Sequence, residues 1–305
     1  MRVSRRDIAL LFGLSAIWGA SFLFIKVAVG TIPPLTVVAG RLVGAALVLY
    51  AIARLRGVRL PSDARAWIPF AAIGLTGNVV PFFLIAWGET RIDSALAAIL
   101  IGTMPIFTVL IAHGFTGDER LTKARIGSVL LGFAGLVVLV GPFALAGLGG
   151  QIWFQGAILL AAVSYGGTAV YGRVPARLSS DVTATASTIA AAAIALPLCL
   201  VVDQPWTLSP SSVSIAAVGA LAVLSTALGS LMFFSLLGSG GANFAALSNY
   251  LIPLCGALWG VLLLGERPGA TAGIALVLIL GSVALASRGR LGAPYAERPS
   301  TSRIE

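Results

Sequence analysis

Trp18, Asn78, Phe82, Thr103, Tyr165, Ser248, Asn249 and Tyr250 share one setting: each lies inside an apolar run long enough to cross a bilayer. A polar group at that depth is costly in hydrocarbon, so it turns toward a protein interior or a water-filled cavity. Amides and hydroxyls there can hydrogen-bond a small polar solute, and the rings can stack on it. They cannot make a catalytic set. The chain has one histidine, His113, and no cluster of acids, so there is no nucleophile with its base and no metal site. No GxxxxGK[ST] pattern offers ATP chemistry, and no cofactor is expected.

Each candidate has a structural alternative. Asn78 and Asn249 contact a solute, or they make interhelical hydrogen bonds that stabilise packing by about 0.6–2 kcal/mol. Trp18 and Tyr165 line a cavity or wedge the two halves of the chain together. Phe82 and Phe83 are adjacent on one helix, so only one can face inward, and Phe82 is assigned there. Thr103 precedes Pro105, and Ser248, Asn249 and Tyr250 precede Pro253. Each proline deprives a carbonyl of its usual partner, which reads first as a kink. Arg41 is the one cation well inside a span. It could attract a carboxylate, but the preferred reading has it reach an interface or a backbone carbonyl. All eleven acids, Glu89 included, fall in connections or at span ends. Carboxylate-based proton antiport is therefore disfavoured, and facilitated export is the simpler expectation.

These residues must be positioned by membrane helices. The chain is 58% hydrophobic and 10% charged, against about 25% charged in a soluble domain. Apolar runs occur near 8–29, 33–53, 67–87, 94–115, 124–143, 152–172, 183–202, 212–237, 242–264 and 270–287. The first is too long for a signal-peptide core, and no small-residue cleavage site follows it. Alternate connections hold sixteen Lys and Arg residues, whereas the opposite set holds only Lys26, Arg91 and Arg267. That split places both termini in the cytoplasm. The net charge of +9 is thus spread over loops rather than gathered on one face, which argues against nucleic acid. Cys199 and Cys255 read as packing residues.

A shift of 147 residues lays the first half on the second. Trp18-Gly19 falls on Tyr165-Gly166, Lys26 on Arg173, and Glu119-Arg120 on Glu266-Arg267; Ala95, Ala98 and Leu100 fall on Ala242, Ala245 and Leu247. Five spans per copy is odd, so the second copy must be inverted, an arrangement characteristic of secondary transporters.

Residues 95–112 followed by Gly117-Asp118-Glu119-Arg120-Leu121, and residues 242–267 with Gly273 and Gly281, resemble the closing motif of an EamA-type repeat. Trp18-Gly19-Ala20-Ser21-Phe22 is similar to that family's first helix. The resemblance, to the drug/metabolite transporter superfamily, implies an all-α polytopic membrane protein of ten helices in two inverted five-helix repeats. These are expected at 1–145 and 150–290, with a cytoplasmic tail at 291–305. It further implies a secondary transporter of the bacterial inner membrane, exporting small metabolites by alternating access. Amino acids, aromatic ones included, are the expected substrates, and proton-coupled efflux is the alternative. A lipid-modifying enzyme is disfavoured. The expected partners are a small-molecule substrate and the bilayer, with a monomer as the starting expectation.

Overall fold

In a computed structural model, the described residues are 4–115, 123–140, 151–171, 180–233, 235–236, 239 and 248–288, and they are almost entirely helical. Among the described residues, ten helices follow the ten apolar runs. The first half contains α1 (Arg5–Ala28), α2 (Pro34–Leu55), α3 (Ala64–Glu89), α4 (Ser94–Phe115) and α5 (Lys123–Val140). The second contains α6 (Ile152–Tyr171), α7 (Ser180–Val202), α8 (Ser212–Phe233), α9 (Ser248–Leu264) and α10 (Ala270–Arg288). Seven are long and apolar enough to cross a membrane, and Leu251–Leu264 and Ala270–Ser282 are shorter apolar stretches. Glu119-Arg120, Arg173, Ala242, Ala245, Leu247 and the tail at 291–305 lie outside the described residues.

Local signals set the helix starts. The Ser4 hydroxyl accepts from the Asp7 amide at 3.2 Å while the Ser4 amide donates to the Asp7 carboxylate at 3.0 Å, a capping box that opens α1. Pro34 opens α2, where its missing N–H is no loss. Large apolar side chains such as Leu47, Val201 and Val277 are exposed, as lipid-facing residues should be. The interior combines large side chains such as Leu42, Phe70 and Ile158 with many small ones, including Ala97, Ala98, Ala161, Ala191 and Ala195. In hydrocarbon, helices associate through close van der Waals packing, and small residues permit it.

The packing repeats itself when the halves are exchanged. α1 packs on α9 and α8; α6 packs correspondingly on α4 and α3. The pairs α2–α7, α4–α9 and α5–α10 map onto themselves. At the first of these crossings a Cβ on Gly19 would stand 2.6 Å from the Cβ of Cys255, so only glycine permits the approach. At the second, a Cβ on Gly166 would stand 3.0 Å from the Thr108 amide. Both pairs are related by the 147-residue shift. So are two departures from α-helical geometry: α3 widens to a π-helical turn at Leu75–Val79, and α8 does so at Leu221–Leu228. α4 is interrupted after Ile101 and resumes at Met104, so the break before Pro105 is a structural kink.

One end of the bundle is joined across several turns. The Lys26 ammonium donates to the carbonyls of Glu89 at 2.9 Å and Ile92 at 2.6 Å. The Thr36 amide donates to the Asp203 carboxylate at 2.8 Å, and the Ser214 hydroxyl to the Val27 carbonyl at 3.0 Å. Glu266 accepts from the Ser94 and Ala95 amides, both at 2.8 Å. Its carboxylate caps α4, from the other half of the chain, where four amides without helical partners favour a negative charge.

Candidate functional site

Two turns below that joined end, Arg41 projects into the interior with 6% of its surface exposed. Its guanidinium carbon stands 3.6 Å over the centre of the Phe82 ring, and its Nε donates to the Thr226 hydroxyl at 2.7 Å. Thr226 in turn donates to the Leu221 carbonyl at 2.9 Å, which the π-helical turn of α8 has brought within reach. The preferred reading of Arg41, reaching an interface or a carbonyl, is therefore corrected: it is held by a ring from one half and a hydroxyl from the other. Among the described residues no carboxylate lies within salt-bridge distance of it. Nε alone has a hydrogen-bond partner there, leaving both terminal nitrogens of the fork available.

The energetics permit this. A guanidinium at the centre of a membrane helix costs about 3 kcal/mol on insertion scales. A desolvated cation–π contact returns about 2 kcal/mol, and a hydrogen bond to a charged group about 1.5–3 kcal/mol. The group comes near balance without a salt-bridge partner among the described residues.

Tyr165, half-buried on α6, interacts electrostatically with Arg41 and brings a phenol from the second half to the site. Phe82 is 8% exposed and Phe83 36%, so the inward assignment of Phe82 matches its burial. Asn78 is half-buried on the π-helical turn of α3, one turn before Phe82. Beside it, the Ser164 hydroxyl donates to the Thr76 carbonyl at 2.6 Å and Thr168 donates to the Thr76 hydroxyl at 2.9 Å, a polar seam between α3 and α6.

The profile of the EamA-like transporter family matches residues 6–141 and matches again at 152–288. The chain belongs to the EamA-like transporter family. This is a family of ten-helix membrane transporters. A solved crystal structure superposes on this EamA-like protein with a TM-score of 0.65 at 26% identity, over 92% of this chain and 98% of the other. The uncharacterized inner membrane transporter YedA of Escherichia coli K12 is 28% identical over 284 residues, 92% of this chain and 90% of the relative. A Chlamydia trachomatis S-adenosylmethionine/S-adenosylhomocysteine transporter is 29% identical over 273 residues, 85% of this chain and 82% of the relative. A probable terminal-alkyne amino-acid exporter of Streptantibioticus cattleyicolor is 27% identical over 277 residues, 90% and 91% of the two chains.

Other sequence candidates of this EamA-like transporter fall elsewhere. The Trp18 indole donates to the Ser225 carbonyl at 2.9 Å and tilts against Phe233 at 5.5 Å, so its polar edge joins the two halves. Thr103 has no exposed surface and donates to the Leu100 carbonyl at 2.7 Å, at the α4 break and away from Arg41's hydrogen-bond partner Thr226. Ser248 is buried and Asn249 half-buried in the first turn of α9, a helix that packs on α1 and α4. The Tyr250 side chain lies outside the described residues.

Sequence reasoning missed Ser225 and Thr226, and it set Arg41 aside. The signal for Ser225 was present: the 147-residue shift carries Asn78 onto it. It also missed Glu89. That residue closes α3 as a span-end acid should, yet its side chain has no exposed surface. The inference that no carboxylate lies within the bundle is overturned there.

Proposed function

We propose that this EamA-like transporter exports amino acids or metabolites bearing an α-amino-acid moiety, by alternating access around Arg41. The observation that carries the reading is the Arg41 guanidinium, stacked on Phe82 and, among the described residues, anchored through Nε alone. Its free fork matches a carboxylate, which accepts two parallel hydrogen bonds from guanidinium. Asn78 and Tyr165 supply neighbouring polar groups for the rest of the substrate. The named relatives support this choice of chemistry, because S-adenosylmethionine and a terminal-alkyne amino acid both carry an α-amino-carboxylate end. Residues 1–145 and 150–290 are the two inverted repeats, and both termini face the cytoplasm.

Flux in liposomes tests the assignment. Purified protein should accelerate efflux of some amino acids from a broad panel, and their decarboxylated amines should neither move nor compete. Equal transport of an amino acid and its amine would remove the carboxylate from the mechanism.

A further inference from the structure

The Glu89 carboxyl is enclosed at the joined end of the bundle, and neither of its oxygens has a hydrogen-bond partner among the described residues. Enclosure alone does not decide its state, so its surroundings matter. From α1 comes Lys26, whose ammonium is turned to the backbone carbonyls of Glu89 and Ile92. Arg41 on α2 and Glu266, over the start of α4, also act on it electrostatically. On α6, Tyr165 interacts electrostatically with Arg41, while Phe154 and Ile158 pack against Gly88. Between those two contacts lies Gln155, whose buried side-chain oxygen likewise lacks a partner among the described residues.

A carboxylate enclosed without a donor to either oxygen is strongly disfavoured, whereas the neutral acid is not. The Lys26 ammonium attracts it but donates to two backbone carbonyls instead of to either carboxyl oxygen. We infer that Glu89 is a proton-binding site: this end of the transporter closes with a proton taken up on its carboxyl and opens with that proton released. In closure an O–H bond forms between a Glu89 oxygen and a proton from the medium at this end. In opening that bond breaks, the proton returns to water, and the carboxylate pairs with the Lys26 ammonium. No other reactant is needed. The inference rests on the alternating-access reading but not on the identity of the substrate. Because closing binds one proton, the open-to-closed ratio should change by up to about tenfold per pH unit where Glu89 titrates. The Lys and Arg distribution places this end away from the cytoplasm.

Infrared difference spectroscopy of the protein in bilayers tests the site without any substrate. At neutral pH the wild type should show a protonated-carboxyl C=O band that is absent from Glu89→Gln. A band missing from both proteins, or equal in both, overturns the inference. In liposomes, amino-acid exchange by the wild type should vary with pH at this end, and Glu89→Gln should lose that dependence. If Glu89→Gln does not elute as a monodisperse protein, Lys26→Gln replaces it. Removing the cation should displace the pH profile, because the carboxylate then loses its partner in the open state, and an unmoved profile counts against the site. A Glu89-dependent band without amino-acid flux would leave the proton site standing and refute the substrate assignment. Flux with identical pH dependence in wild type and Glu89→Gln would do the reverse.

Discussion

Arg41 and Thr226 are 185 residues apart in the chain and 2.7 Å apart in the fold. One belongs to α2 of the first half and the other to the π-helical turn of α8 in the second. Motion of the halves about their crossing would necessarily remodel this contact, which places it where binding and conformational exchange can be linked.

Arg41→Lys should reduce transport by more than about tenfold, because an ammonium cannot present the paired donors of guanidinium. Arg41→Met should abolish it. Neither should lower thermal stability appreciably, since replacing a buried charge by an apolar side chain of similar length is often neutral or stabilising. Flux measured beside a thermal-unfolding assay in detergent separates the two effects, and a large fall in Tm for Arg41→Met would mark the residue as structural.

Phe82 and Phe83 should behave differently. Phe82→Leu keeps most of the buried volume but removes the ring face beneath Arg41. It should weaken apparent substrate affinity with a stability change below about 1.5 kcal/mol. Phe83→Leu should leave both quantities near wild type. Competition assays on the two variants give the comparison directly.

Gly19→Ala and Gly166→Ala introduce a methyl at the two symmetry-related crossings. Each should destabilise by about 1–3 kcal/mol, with Gly19→Ala the worse. The added carbon would meet the Cys255 Cβ and the Gly256 amide at 2.6 and 2.8 Å, whereas at Gly166 the nearest atom is at 3.0 Å. Cys255→Gly should partly rescue Gly19→Ala. Unfolding midpoints of the two single variants and that double variant provide the check.

Glu266→Gln should destabilise by about 1 kcal/mol, the typical value of an N-terminal cap. Glu266→Ala should cost more, because the Ser94 and Ala95 amides then both lose their acceptor. Amide hydrogen exchange should rise first in the opening turn of α4. Protection lost instead at the start of α10 would show that Glu266 caps its own following helix.

The sequence by itself determined the solvent of this protein, its ten spans and their division into related halves. Those follow from composition, run length and a constant offset, properties that any packing of the helices must respect. It also marked Trp18 and Tyr165 as equivalent positions and Asn78 as a polar group within a span. Only the tertiary structure decided what each does. The offset that pairs Trp18 with Tyr165 cannot say that one indole joins the halves through Ser225 while the phenol lies near Arg41. The reason is that the two-fold relation is approximate: position 82 is a phenylalanine and its counterpart 229 a glycine, so equivalent helices meet unlike neighbours. Arg41 and Glu89 were legible as an isolated cation and a span-end acid. Their burial and partners depend on which helices stand beside α2 and α3, and hydrophobic runs of similar composition carry no information about neighbours.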